Sequence, residues 1–414
     1  MPEEKSVREA LDSLMEPEAE KADTKQHKFW NEQPVAQTVD DAKKLQKGSL
    51  EDAKTKKIRQ EPYNLPEGMR WADLDLADDD ECKKLYTLLR DHYVEDKDAM
   101  FRFNYSIPFL RYALTPPGWR KDFHVCIYKG DELMGFISAI PTTCHVNQDD
   151  AEFVSSEINF LCVHHTLRAT GMAPLLIKEI TRRSNLIGIF QGFYTAGVRL
   201  PTPFAETTYY HRALDPAFLI DIDFLSVPND PDVRQRIIDR QALAPAPLDD
   251  LRPIRLDDVP AVTKLLNDYL AQFNVHPVYR EDEVQHWFLS RPGVVSAFVV
   301  EREGEVLGCA SYYSLPSTVI KANGEGEVLL QAAYNWYTFV KPGANFTRSE
   351  LFASMLHKAK AEGFHVFNTV NIQDNTPPFL RGLGFLRGDG ALHYYFFNYN
   401  VGVIEPGAVG ITIQ

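Results

Sequence analysis

An internal repeat restricts this 414-residue chain more than any other feature. LLRDHY at Leu88–Tyr93 returns as LLNDYL at Leu265–Leu270, and Pro117-Gly118 returns as Pro292-Gly293. FHVCIYKGDELMGFISAIP (Phe123–Pro141) resembles AFVVEREGEVLGCASYYSLP (Ala297–Pro316). The three landmarks share an offset of about 175 residues, which points to a duplicated α/β unit.

Both copies carry the same pattern. A periodic helix precedes a strand, a glycine-bearing hairpin turn and a second strand of alternating apolar residues. A further apolar strand and helix follow, EINFLCVHH with APLLIKEITRRSN first, then AAYNWYTFV with RSELFASMLHKAKAEG. The order predicts an α/β (α+β) fold of two units, 62–225 and 251–414, each a mixed twisted sheet flanked by helices. Residues 226–250, rich in Pro and Asp, read as the connection.

Residues 1–61 stand apart, with 12 basic and 14 acidic residues and few aromatics, the pattern of a mostly unfolded arm. One island, His27-Lys28-Phe29-Trp30 with Gln33-Pro34, is a docking segment near 27–35, either onto the body of the protein or onto a ligand. The net charge of −14 argues against nucleic acid as a partner. No apolar run reaches the ~18–20 residues of a membrane span, and MPEEKSVREALDSL lacks the pattern of a secretory signal. Five widely spaced cysteines without zinc-ligand spacing read as buried thiols in a cytoplasmic protein, and no metal site is expected.

The sharpest local motif follows the strand at Glu157–Val163, where Arg168-Ala169-Thr170-Gly171-Met172-Ala173 runs into LLIKEITRR. A glycine-bearing loop feeding a helix gathers free N–H groups where the helix dipole favours an anion, and Arg168 adds charge-assisted bonds. The spacing resembles the pyrophosphate loop of GNAT-type N-acetyltransferases, hence a coenzyme A site. A plain left-handed turn with a surface arginine is the common alternative. The second unit lacks the loop, which leaves that half free to hold an acceptor.

EINFLCVH (Glu157–His164) and GDGALHYY (Gly388–Tyr395) resemble the two signatures of the glycylpeptide N-tetradecanoyltransferase, or N-myristoyltransferase, family. Colinear matches run over roughly residues 27–414: YVED (Tyr93–Asp96), FRFNY (Phe101–Tyr105), LTPPGW (Leu114–Trp119), YTAG (Tyr194–Gly197), YYHR (Tyr209–Arg212) and LPST (Leu315–Thr318). The resemblance implies a tandem pair of GNAT-like halves related by a pseudo-twofold. It implies myristoyl-CoA as co-substrate with no permanently bound cofactor, and N-terminal glycine peptides with basic residues downstream as acceptors. Two places depart from the family. Ala169–Met172 replaces a basic cluster, which leans phosphate binding on backbone N–H groups, and Gly384-Phe385-Leu386-Arg387 replaces the usual Lys-Phe-Gly-x.

By the same resemblance the N–H groups of Phe160 and Leu161 form an oxyanion hole at a strand bulge, and the carboxylate of Gln414 is the base. The coenzyme contacts implied are His27, Lys28, Phe29, Trp30, Asn159, Cys162 and Val163, with Arg168, Ala169, Thr170, Gly171, Met172 and Ala173. The peptide contacts implied are Tyr93, Phe101, Phe103, Tyr105, Thr195, Gly197, Tyr209, His211, Ser311 and Asp389. Thr195, Asn159 and His211 are candidate partners of the amine. Each has a plain alternative: FLCV as an ordinary buried strand, the aromatics as core, GAVGITIQ as a last edge strand, and Gly-Asp-Gly as a hairpin turn. The charge balance of the arm leaves ribosome or membrane proximity open.

Three rival functions remain at this level: an acetyltransferase using the same loop, covalent catalysis by Cys162 with His164 or His165 as base, and a lipid-peptide binding module without catalysis. A strand cysteine is usually inert core, which weakens the second.

Overall fold

The computed structural model describes residues 28–52, 57–96, 98–320 and 328–414; His27 lies outside them. The repeat is realised element by element. The first unit runs β1 (Met69–Asp73), α1 (Asp79–His92), α2 (Ile107–Leu114), β2 (His124–Lys129), β3 (Glu132–Val146), β4 (Ala151–Val163), α3 (Met172–Leu186), β5 (Gln191–Ala196) and β6 (Ala205–Ala213). The second runs β7 (Leu251–Pro253), α4 (Val259–Leu270), α5 (Glu281–Phe288), β8 (Val295–Arg302), β9 (Glu305–Ser314), β10 (Ala332–Val340), α6 (Arg348–Ala361), β11 (Val366–Val370) and β12 (Leu386–Phe397).

The two units do not form two sheets. One continuous sheet has the order β1-β2-β3-β4-β5-β12-β6-β11-β10-β9-β8-β7, with Val275–Pro277 added beside β3. Read from either edge, each unit contributes five strands in sequence and then accepts the last strand of the other unit. The neighbours β4/β5 and β10/β11 are parallel, at matching positions of the palindrome. The pseudo-twofold therefore passes between β12 and β6.

Strand alternation divides the core. Val125 and Ile127 face α3 through Leu176 and Ile180, while Cys126 and Tyr128 join Leu85 and Leu88 of α1. In the second unit Phe298 and Val300 pack with Leu351 and Met355 of α6, and Val299 turns to Val262 and Leu266 of α4. One cluster spans α1, α2, α4 and α5, so these helices of both units close over the same face.

Two expectations change here. Over residues 28–52 the charged arm is folded: Trp30–Glu32 form a 3₁₀ turn, Val39–Lys44 a helix, and Gly48–Ser49 pair with Tyr399–Asn400. Its buried Trp30, Val35 and Ala42 anchor it, a sparse apolar set that averaging over 61 residues of charge conceals. The connection at 226–250 carries a helix, Pro231–Arg240, started by Asp230, whose carboxylate accepts from the N–H groups of Asp232 and Val233. No helix among the described residues is long and apolar enough to cross a membrane.

Asn400 holds the arm by one amide: its Nδ2 donates to the carbonyls of Ala42 (3.1 Å), Leu45 (3.1 Å) and Gln46 (3.3 Å). Asn400→Ala leaves the carbonyl of Ala42, the one buried residue of the three, without its partner, at a cost of about 1–3 kcal/mol. Limited proteolysis is expected to cut the variant within 28–52 faster than the parent while the 57–414 body stays resistant.

Candidate active site

The two parallel strands β4 and β5 pair at Ser155↔Gln191, Ser156↔Gly192 and Glu157↔Phe193 and then stop. Continued two steps, the same register would set Asn159 opposite Thr195. At this point β4 carries a bulge: Ser138 faces Asn159 and Phe136 faces Cys162, so Ile137 alone opposes Phe160 and Leu161. Phe160 has φ 56°, a left-handed conformation that a bulky side chain adopts only under constraint. The bulge sends Phe160 into the core beside α1 and Leu161 to the α3 side. The N–H of Phe160 donates to Asn159 Oδ1 at 2.8 Å.

The tail of the second unit arrives at the same place. It crosses the sheet with Gly410 N–H donating to Val275 (2.7 Å), Tyr337 Oη to Gly410 (3.2 Å), and Thr412 Oγ1 to Trp336 (3.4 Å). It is an irregular run rather than the edge strand that GAVGITIQ suggests. Gln414 is 7% exposed. Its side-chain amide donates to Tyr112 Oη at 3.1 Å, which in turn donates to Trp287 O at 2.8 Å. Asn159 Nδ2 donates to the main-chain oxygen of Gln414 at 2.5 Å. One side chain, Asn159, thus joins the tail to the bulge.

A cavity of about 30 Å³ lies between them, lined by Thr142, Glu157, Asn159, Phe160, Glu283 and Gln414 among others, room for an ordered water or two. Both acids are pushed up by burial, Glu157 to about 7 against a hydrogen bond from Thr142, and Glu283 against the N–H of Arg280. Sequence reasoning quoted Glu157 in a motif and gave it no role; its place on the same strand face as Asn159, two residues on, was the available signal.

Aromatic side chains surround the bulge. Phe160 lies 5.0 Å from Tyr105 and 6.2 Å from Tyr93, ring to ring, and Tyr105 lies 6.0 Å from Phe103. A second run passes from Phe101 to Phe224 (5.6 Å), His211 (5.4 Å) and Tyr209 (6.4 Å). Burial lowers His211, whose Nδ1 meets Asn368 Oδ1 at 2.7 Å, and lifts the Tyr209 hydroxyl to about 12.

Gly388-Asp389-Gly390 is no hairpin turn: Arg387↔Tyr210 is followed by Ala391↔Thr208, so the three residues bulge within β12 opposite Tyr209. Hairpin and bulge share the Gly-x-Gly spelling, and only the strand beyond tells them apart. Gly197 follows β5 nearby, and a Cβ there would stand 4.0 Å from Ala391 O. Ser311 is fully buried at a β9 bulge, its hydroxyl donating to Tyr337 O and accepting from Tyr337 N–H, both at 3.1 Å.

On the other side of β4 the loop Arg168–Gly171 is exposed, with Ala169 at φ 60° and Gly171 at φ 87° as the N-cap of α3. No side chain caps the first turn, and Met172 and Ala173 begin the helix. This is the open backbone end that an anion fits. The Arg168 guanidinium donates to His92 O at 2.8 Å. Phe29 and Trp30 pack edge to face, and Trp30 stacks on Tyr194 at 5.5 Å, the neighbour of Thr195; Lys28 is exposed. The segment docks on the body, with Asn398 N–H donating to Pro34 O at 2.9 Å. Val163 lies half-buried beside Cys162. Cys162 is a poor nucleophile: burial lifts its thiol to about 12, and Sγ donates to Leu88 O at 3.8 Å.

Two α/β units joined in one sheet thus set a glycine loop at a helix start and, across the strand, a strained bulge facing a cavity. Residues 50–207 match the sequence profile of the myristoyl-CoA:protein N-myristoyltransferase N-terminal domain, and residues 221–410 that of its C-terminal domain. Glycylpeptide N-tetradecanoyltransferase 1 of Arabidopsis thaliana is 40% identical, over 98% of this chain and 92% of its own length. Glycylpeptide N-tetradecanoyltransferase 2 of Bos taurus is 42% identical, over 94% and 76%. Saccharomyces cerevisiae N-myristoyltransferase with bound myristoyl-CoA superposes with a TM-score of 0.83 at 34% identity, covering 92% of this chain and 95% of that one. The chain belongs to the myristoyl-CoA:protein N-myristoyltransferase family.

Two outcomes follow from the geometry. A Cβ on Gly388 would stand 2.3 Å from His211 Nε2, a ring already held by Asn368. Gly388→Ala is expected to cost about 1–3 kcal/mol in urea denaturation, from overpacking. Glu157 has a folded-state pKa of about 7 against an ordinary 4.5. The folded chain therefore holds this proton more tightly than the unfolded chain, and Glu157 lowers stability as pH rises from about 4.5 to about 7. Glu157→Gln should flatten that part of the stability–pH curve, and an unchanged slope would refute the assignment.

Proposed function

We propose that this protein transfers the tetradecanoyl group of myristoyl-CoA to the α-amino group of an N-terminal glycine, by direct attack of the amine on the thioester. The observation that carries the reading is the Asn159 link, 2.5 Å to the Gln414 main-chain oxygen and 2.8 Å to the Phe160 N–H. It sets a candidate base and a candidate oxyanion donor on one side chain.

The coenzyme phosphates sit on the N–H groups of Gly171–Ala173 with Arg168, and the chain's departure at Ala169–Met172 makes the backbone the main holder. Lys28, Phe29 and Trp30 close over the coenzyme beside Asn159, Cys162 and Val163. The thioester oxygen takes over the Phe160 N–H from Asn159 and adds that of Leu161. Charge developing on this oxygen is stabilised by dipoles already in place, an effect worth about 3–4 kcal/mol per donor. The acceptor lies against Tyr93, Phe101, Phe103, Tyr105, Tyr209 and His211, with Ser311 behind them, and its amine reaches Thr195 and Gly197. Asp389 anchors a basic residue further along.

The Gln414 carboxylate takes a proton from the ammonium; the amine forms the C–N bond, the C–S bond breaks, and the second proton of the attacking nitrogen passes to the departing thiolate of coenzyme A. A free carboxyl near ~3.5 and an amine near ~8 differ by ~4.5 units, or ~6 kcal/mol. Outright transfer needs that gap closed, and burial of the kind found at Gln414, 7% exposed, closes it from both sides.

Mass spectrometry of two short basic peptides, alike except for Gly or Ala first, tests the reaction with tetradecanoyl-CoA. One tetradecanoyl mass on the glycine peptide alone is expected; no gain from protein that still binds the donor would sink the proposal. A chain lengthened by two residues after Gln414 is expected to lose turnover by at least tenfold and keep its donor affinity. Full turnover would remove the carboxylate base and leave the acyl transfer standing.

A further inference from the structure

Three histidines that the reaction does not use meet on the surface between α1 and the exit of β4. His92 is the last residue of α1, and His164 and His165 are the two residues after β4. Their ring centroids are 4.1 Å (92–164), 4.9 Å (92–165) and 4.5 Å (164–165) apart. One ring nitrogen from each lies within 4.8 Å of the other two, with His92 and His164 half-buried and His165 exposed. We propose that His92, His164 and His165 form a binding site for a divalent transition-metal ion of the zinc class.

The spacing is close to what coordination needs. Metal–nitrogen bonds of about 2.0–2.1 Å in a tetrahedron set neighbouring nitrogens ~3.4 Å apart. Nδ1 of His92 and Nδ1 of His165 already stand at 3.3 Å. The His164 ring is also supported from behind, as ligating histidines are, and the backbone of His92 is held. Thr166 Oγ1 lies 2.8 Å from His164 Nδ1, and the Arg168 guanidinium holds the carbonyl of His92 at 2.8 Å. Three imidazoles suit Zn²⁺, Co²⁺, Ni²⁺ or Cu²⁺ and give nothing to Mg²⁺ or Ca²⁺, which ask for oxygen. The fourth position is open to water, with the exposed carboxylate of Glu132 3.9 Å from His164 Nε2.

A bound ion would tie the end of α1 to the loop that enters α3, two pieces of chain some seventy residues apart in sequence. Nothing in this inference depends on the acyl transfer, and its test reads binding alone. The full chain, stripped with a chelator, is titrated with Co²⁺ and followed by its visible ligand-field bands, then by displacement with Zn²⁺. One Co²⁺ per chain with a tetrahedral spectrum is expected, with the melting temperature rising as Zn²⁺ is added. His92→Gln and His165→Lys, both folded by circular dichroism, should each weaken binding at least tenfold. His145→Gln is the control: its ring stacks on His276 at 5.2 Å in a separate pair, and the change should leave affinity and stoichiometry intact. No spectral change at millimolar Co²⁺, or binding untouched by His92→Gln and His165→Lys, overturns the site.

Discussion

Backbone hydrogen bonding of β12 to β5 on one side and to β6 on the other is the interaction on which everything else rests. Each unit ends by giving a strand to its partner, so the sheet has no seam along which two domains could slide. A strand in mid-sheet is fixed by two ladders at once, and its neighbours inherit that register. This is why residues from distant parts of the sequence meet to within hydrogen-bond distance: Asn159 of the first unit and Gln414 of the second are held by one rigid layer. A pair of ordinary domains joined by a linker would allow relative motion by default.

Within that layer the candidate site lies where the regular ladder fails. The parallel strands β4 and β5 part after Glu157 and Phe193, and β4 bulges in the same few residues. Parting exposes backbone groups that a sheet would satisfy, and the bulge aims one of them. The strain at Phe160 is maintained by the aromatic packing of Tyr93 and Tyr105 around its ring. The acids Glu157 and Glu283 beside the Gln414 tail are both pushed toward their neutral forms by the same burial.

The repeat and its α/β character were legible in the sequence because hydrophobic periodicity and turn glycines are local. Strand exchange was not, since nothing in YTAG or GDGALHYY says which strand lies beside which. The folded arm was obscured because Trp30, Val35 and Ala42 are diluted by charge. The hairpin alternative at Gly388–Gly390 stayed open for want of the β12 register. The motif Glu157–His164 pointed to the strand that matters, yet its bulge depends on Ile137 across the ladder. The histidine cluster escaped because His92 lies far from His164 in sequence, and only the packing of α1 against β4 unites them.

The exchanged strands also govern how the chain is made. Roughly 170 residues separate the end of β6 from the start of β12. At ~5–20 residues per second, β5 and β6 emerge from the ribosome ~10–35 seconds before the strand that must lie between them. Throughout that interval β5 and β6 each lack the neighbour that β12 supplies, and an unpaired strand edge invites intermolecular pairing. Biosynthesis of this protein thus contains a waiting period, during which the middle of the sheet stays open until its last strand arrives.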